Sequence, residues 1–252
     1  GGAGAIGAAT ARAFAAAGAD VAVLDLEQEA AAAVAAGCGK RSLGTACDVT
    51  DPAAVRAAVA AVAQHFGGLD IVVSNAGAAW TGPMATLADA DLRASFELNF
   101  FAHQSVAQAA LAVFRAQDRS DAGGRPVLGG QLLFNVSKQA LNPGPNFGAY
   151  GISKAALLAL VRQYALEEGE AAVRVNAINA DRIRSGLLDD TLIRERSAAR
   201  GLSEENYMAG NLLGTEVRAS DVADAFVALA LLERTTGAVL TVDGGNVAAM
   251  VR

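Results

Sequence analysis

Short apolar runs alternate with Ala-rich stretches of helical length along most of this chain, and most runs end on a polar or acidic residue. Val21-Ala22-Val23-Leu24 stops at Asp25, residues 41–46 lead to Asp48, and Ile71-Val72-Val73 stops at Ser74. Residues 131–135, 173–177 and 238–242 complete the set. Between them, helical patterns cover residues 8–17, 27–36, 52–66, 89–114, 150–168 and 220–232. A strand without polar alternation is buried on both faces, so the pattern predicts an α/β fold, a doubly wound parallel sheet with helices on either side. Local signals agree: Gly18 follows the first helix as a C-cap, Pro52 after Asp51 opens another, and Ser220 caps the last. Residues 115–130 read as a polar, Gly-rich loop and residues 181–216 as a charged, irregular segment with short helical pieces. Neither a fixed-period repeat nor a low-complexity linker divides the chain, which predicts a single domain over residues 1–252.

The chain starts on a glycine-rich turn, Gly1-Gly2-Ala3-Gly4-Ala5-Ile6-Gly7, which satisfies GxGxxG at Gly2, Gly4 and Gly7. Such a turn follows a strand and lets the backbone at a helix N-terminus approach a pyrophosphate. The expectation is that the first strand lies upstream of Gly1, in natural sequence absent here. Asp25 ends the next strand 18 residues past Gly7, where a carboxylate can accept from adenosine ribose hydroxyls. The turn holds no Arg or Lys and Leu26 follows Asp25, so a 2′-phosphate would meet repulsion without a cation. NAD is therefore expected over NADP. Asp48 and Asn75-Ala76-Gly77 fall at the same strand-end edge, either as ligand contacts or as a helix cap and a turn.

Composition narrows the partners. A chain that is 53% hydrophobic and 18% charged is too apolar for disorder, and no apolar run reaches the roughly 18 residues of a membrane span. A net charge of -6 without a Lys/Arg cluster argues against nucleic acid or an acidic membrane surface and leaves a small-molecule substrate. Cys38 and Cys47 alone make neither a disulfide framework nor a zinc site, which predicts no metal and a reduced, cytoplasmic setting. His65 and His103 read as ordinary helix residues.

Ser137, Tyr150 and Lys154 carry the chemistry, at spacings of 13 and 4. Positions i and i+4 share a helix face, so Tyr150 and Lys154 project together. A lone YxxxK marks a solvated helix surface, but this one follows a strand ending in Asn135-Val136-Ser137 and accompanies a dinucleotide fingerprint. Interconverting an alcohol and a carbonyl moves a proton at the substrate oxygen, and a phenol does this when its pKa of about 10 is brought toward neutrality. Lys154 is expected to supply nearby charge, which together with the oxidised nicotinamide ring would account for about 4 kcal/mol, a thousandfold change in acidity.

These motifs resemble the short-chain dehydrogenase/reductase family across essentially the whole chain. The glycine turn, Ser74-Asn75-Ala76-Gly77, Asn99 within Glu97-Leu98-Asn99, the Ser137/Tyr150/Lys154 triplet and Thr241-Val242-Asp243-Gly244-Gly245 appear in the family's order. The resemblance implies a Rossmann fold and a catalytic set of Asn99, Ser137, Tyr150 and Lys154. It also implies cofactor contacts at Gly1, Gly4, Ile6, Gly7, Asp25, Asp48, Val49, Asn75, Ala76, Gly77, Tyr150, Lys154, Ile183 and Ser185. Lys154 would hold the nicotinamide ribose, Ser137 the substrate oxygen, and Asn99 a proton-relaying water, or else Asn99 satisfies a buried backbone group. Two departures stand out: Ala5 replaces a common glycine, and Asn179-Ala180-Asp181-Arg182-Ile183-Arg184-Ser185 replaces the usual Asn-Pro-Gly start. That run, with residues 135–140 and 207–213, looks like the C-terminal dehydrogenase half of bifunctional aldolase/short-chain dehydrogenase proteins. This implies an upstream aldolase domain in the natural chain and a sugar-derived aldehyde such as lactaldehyde as substrate. A stand-alone sugar or polyol dehydrogenase and a non-catalytic dinucleotide-binding module remain the alternatives. The family pattern further implies a homodimer or homotetramer. Residues 181–216 are expected to form a lid, with Leu187, Leu188, Met208, Leu212 and Leu213 as its apolar cover. Arg182 and Arg184 either face the substrate or pair with Asp181, Asp189 or Asp190.

Overall fold

The computed structural model describes residues 1–117 and 129–247. Helix α1 (Ala5–Ala16) is followed by β1 (Ala22–Asp25), α2 (Gln28–Ala36), β2 (Leu43–Ala46), α3 (Pro52–Phe66) and β3 (Ile71–Ser74). Helices α4 (Asp89–Phe96) and α5 (Ala102–Ala116) then flank a π-helical turn at Glu97–Phe101. Strand β4 (Gly130–Asn135), α6 (Gly148–Glu167) and β5 (Val173–Ala180) follow, then α7 (Asp190–Ala198), α8 (Glu204–Met208), α9 (Ala219–Leu231) and β6 (Val239–Val242). Most of the expected 115–130 loop lies outside the described residues.

All strand pairs are parallel: β1 with β2, and β3, β4, β5 and β6 in that order. Successive side chains on a strand point to opposite faces, and the two cores follow that alternation. Leu132, Phe134, Val175 and Ala177 pack against α5 and α6, through residues such as Leu111, Leu157 and Val161. Leu133, Ile178 and Ala180 pack on the other face with Phe226 of α9 and Ile6 and Phe14 of α1. The helices on both faces make the sheet doubly wound, as the apolar runs predict.

Between β1 and β3, no strand joins the two sets among the described residues. A cavity of about 860 Å³ runs there, lined by Val23, Leu24, Ile71, Val73, Val59 and Val106. The Gly1 amino group and the Gly2 amide donate to the Leu24 carbonyl at 3.2 and 2.9 Å, while Asn75 Nδ2 donates to the Gly1 carbonyl at 2.8 Å. The turn thus bridges β1 and β3 at their C-terminal ends. This slot is where the glycine-turn reading places its first strand.

Three local expectations shift. Strand β5 continues to Ala180 because Ile178 and Ala180 still have a core face to fill. Helix α9 begins at Ala219, and the carboxylate of Asp221 caps it by accepting the Arg218 N–H at 2.7 Å, in place of the expected Ser220 cap. The expected 89–114 helix bulges at Glu97–Phe101 without breaking.

Candidate functional site

A cleft of about 450 Å³ opens along the C-terminal strand ends. Gly4, Ala5, Ile6 and Asp25 line one end, Asn75, Ala76 and Gly77 the middle, and Ser137, Tyr150 and Lys154 the other, with Ile183, Ser185 and Leu187 alongside.

At the first end, Gly4 is the N-cap of α1, and the Ala8 N–H makes a helical bond to the Gly4 carbonyl at 2.8 Å. The preceding N–H groups are the unspent donors of a helix start. Gly7 allows the tight turn: a Cβ there would fall 2.2 Å from the Gly1 carbonyl oxygen. Asp25 accepts from the Ala3 and Leu26 amides at 2.9 and 2.8 Å. Burial pushes its carboxyl up, but the Ala3 amide, the chain's amino group and the Leu26 amide together hold it below 3.8, so it stays an anion. Helix-start donors beside a fixed carboxylate fit the pyrophosphate and adenosine ribose of a dinucleotide.

Three residues expected as cofactor contacts stand apart from the cleft, the first being Gly7, packed beneath the turn against Gly1 and Gly2. The exposed Asp48 accepts from the Thr50 amide and hydroxyl, at 2.9 and 2.7 Å, in a turn ahead of α3. Val49 lines the slot between β1 and β3. Asn75 does border the cleft, yet its side chain ties Gly1 to Asn135, whose Nδ2 donates to Asn75 Oδ1 at 2.8 Å.

At the other end, the strand–turn–helix path from β4 to α6 sets the triplet. Ser137 caps the short helical turn Lys138–Ala140, accepting the Gln139 amide at 3.2 Å. Tyr150 and Lys154 sit one turn apart at the start of α6, 8% and 2% exposed. Lys154 Nζ donates to the Asn135 carbonyl at 2.9 Å and lies 5.8 Å from the Tyr150 ring centroid. Burial alone lowers Lys154 to about 7. The Tyr150 phenol is raised above 10 by burial, against a Ser137 hydrogen bond that pulls it down. Burial thus outweighs the Ser137 hydrogen bond at the phenol, and the protein's own groups leave the hydroxyl protonated at neutral pH.

Asn99 is fully buried in the π turn, a feature frequent at functional sites. Its amide spans the Ala78 backbone, donating to the carbonyl at 2.9 Å and accepting the N–H at 3.3 Å, so it does satisfy a buried backbone group. Gly77 makes room for it, since a Cβ there would come within 2.9 Å of Asn99 Oδ1. Ser185 donates to the Ile183 carbonyl at 3.1 Å.

His103 is no ordinary helix residue. It is 1% exposed, with Nδ1 2.6 Å from Ser74 Oγ and Nε2 3.5 Å from Lys154 Nζ. Burial first and then the Lys154 charge hold it well below 6.5, hence neutral. A neutral ring has one donor and one acceptor nitrogen to share among Ser74, Lys154 and the Ala76 backbone. Its i+4 spacing from Asn99 on the inner helix face was the available signal.

In residues 181–216, Leu188 and Met208 are buried with Ile193 and Tyr207 in a small core of their own, whereas Leu212 and Leu213 are exposed. Arg182, at φ 44°, is held by Asp181 at 3.0 Å and by the Tyr207 and Gly210 carbonyls. Arg184 pairs with Glu216 and Asp190 at 2.8 and 3.1 Å. Both arginines therefore serve ion pairs.

The family model described as Enoyl-(Acyl carrier protein) reductase matches residues 1–246. The uncharacterized oxidoreductase YuxG of Bacillus subtilis (strain 168) is 35% identical over 220 residues, which are 84% of this chain and 31% of that protein. The chain thus spans under a third of that relative's length. The 4-formylbenzenesulfonate dehydrogenase TsaC1/TsaC2 of Comamonas testosteroni is 35% identical over 82% of this chain and 78% of its own. Among solved structures, a short chain dehydrogenase from Burkholderia cenocepacia J2315 in complex with NADP superposes with a TM-score of 0.80. It is 32% identical, covering 98% of this chain and 95% of that one.

Proposed function

The chain belongs to the short-chain dehydrogenase/reductase family of oxidoreductases, and on that premise we propose that it is NAD-dependent and interconverts a small alcohol and its carbonyl compound. One observation carries the reading: a single cleft joins the α1 start and Asp25 to Ser137, Tyr150 and Lys154.

A bound nicotinamide dinucleotide would supply the hydride acceptor or donor and, when oxidised, a positive ring. The chain's own residues do the rest. The α1 N–H groups receive the pyrophosphate, Asp25 accepts from the adenosine ribose, and Ile183 and Ser185 border the nicotinamide end. Ser137 holds the substrate oxygen, and the Tyr150 hydroxyl gives or takes its proton. Lys154 lends positive charge to the phenolate and binds the nicotinamide ribose, with Asn99 and His103 holding the surrounding backbone and ammonium in place. Asp25 beside the exposed Leu26 supports NAD, although the Burkholderia relative was solved with NADP.

The resemblance carried by residues 179–187 supports the finer reading, a small sugar-derived aldehyde as the carbonyl compound. Exposed Phe101, Ile152 and Leu166 on α4–α6 support a homodimer or homotetramer. The reading is tested by following absorbance of the reduced dinucleotide with a panel of small alcohols and aldehydes. Turnover of at least one member with NAD(H) is expected, and none with either dinucleotide would overturn it.

A further inference from the structure

Arg196 on α7 lines the same cleft as Ser137 and Tyr150. Its guanidinium carbon lies 3.9 Å from the centroid of the Phe147 ring, and that ring meets Tyr150 edge-on at 6.2 Å. A guanidinium stacked on an aromatic face keeps its in-plane N–H donors free at the edge, in a fork that matches carboxylate, phosphate or sulfonate oxygens.

Among the described residues, no carboxylate lies within ion-pair distance of it. The acids around it are committed: Asp190 and Glu216 to Arg184, Glu204 to Arg194, and Asp181 to Lys138 and Arg182. Asp189 caps α7 through the Leu192 amide. Arg196 is therefore a half-buried cation at the substrate end of the cleft with no carboxylate partner among the described residues.

We propose that Arg196 is a specificity residue, binding an anionic group that the substrate carries away from its reacting carbon. The natural substrate is then a small hydroxy or carbonyl compound bearing a carboxylate, phosphate or sulfonate, in preference to a neutral one such as lactaldehyde. The proposal rests on the oxidoreductase reading above. Phe147 fixes the guanidinium plane, and Gln139 lines the same wall. The pyrophosphate end is served separately by the α1 start.

The test uses the whole chain and matched pairs that differ by one anionic group: glyceraldehyde with glyceraldehyde 3-phosphate, and benzaldehyde with 4-carboxybenzaldehyde. Wild type should show higher kcat/KM for the anionic member of at least one pair. Arg196→Met, which keeps the stem and removes the charge, should cut that preference about tenfold through KM. Arg196→Lys should restore part of it, and NADH affinity by direct titration should stay within twofold. Equal kcat/KM for both members in wild type, or a preference that survives in Arg196→Met, overturns the proposal while leaving the oxidoreductase reading intact. A loss confined to NADH affinity reassigns Arg196 to the cofactor and equally overturns it. No turnover of any member with either dinucleotide overturns both.

Discussion

Replacing Lys154 with Met should make the protein more stable while disabling it. The unfolded lysine titrates at 10.5 and the folded one at about 7, with burial as the cause. At about 1.4 kcal/mol per tenfold change, keeping that charge in the core costs about 5 kcal/mol below pH 7. Met fills nearly the same volume without charge but strands the Asn135 carbonyl, now reached by Lys154 Nζ at 2.9 Å, at a cost of about 1–3 kcal/mol. The net expectation at pH 7 is about 2 kcal/mol of added stability, or roughly 5 °C in Tm. The pH dependence follows from proton counts. Between pH 7 and 10.5 the unfolded wild type keeps the lysine proton and the folded form releases it, so wild-type stability rises with pH. Below pH 7 both forms hold the proton and the full cost stands. The other titratable groups against Lys154, His103 held well below 6.5 and Tyr150 raised above 10, both stay neutral in the folded chain from pH 7 to 9. Urea unfolding at pH 7, 8 and 9 should show the variant ahead at pH 7 and the gap closing by about 1 kcal/mol per pH unit. A variant less stable at pH 7, or two parallel pH profiles, would refute the reasoning. Turnover should be lost in the same variant and dinucleotide affinity weakened, because one ammonium serves both.

Two further outcomes are expected. NADH should bind at least tenfold tighter than NADPH, about 1.4 kcal/mol, and Asp25→Ala with Leu26→Arg should move the preference toward NADPH. Equal affinities in wild type, measured by titration, would contradict the role given to Asp25.

Much of the molecule is written locally. Asp51-Pro52 encodes the α3 start to the residue, and the apolar strands encode a two-faced sheet, because each depends on side chains adjacent in sequence. The triplet is legible for the same reason: i+4 spacing after a strand end leaves Tyr150 and Lys154 one geometry. What escapes is decided across space. Arg196 reads as one more charge on an amphipathic α7, and only the placement of Phe147 beneath it and of acids around its neighbours leaves it without a carboxylate partner among the described residues. His103 reads as a helix residue until α6 brings Lys154 against it. Asp48 shares its strand-end position with Asp25, but a hydroxyl two residues on captures its carboxylate. The environment of Tyr150 is likewise set across space, because burial raises its phenol while the Ser137 hydroxyl lowers it.

The central claim is that Tyr150 moves the proton, and Tyr150→Phe tests it most directly, since the ring stays packed against Phe147 and only the hydroxyl is lost. With the substrate giving the highest wild-type turnover, kcat should fall by about 100-fold or more while NADH still binds with wild-type affinity. A Phe variant that turns over at near the wild-type rate would mean that another group carries the proton and that the account of this site is wrong.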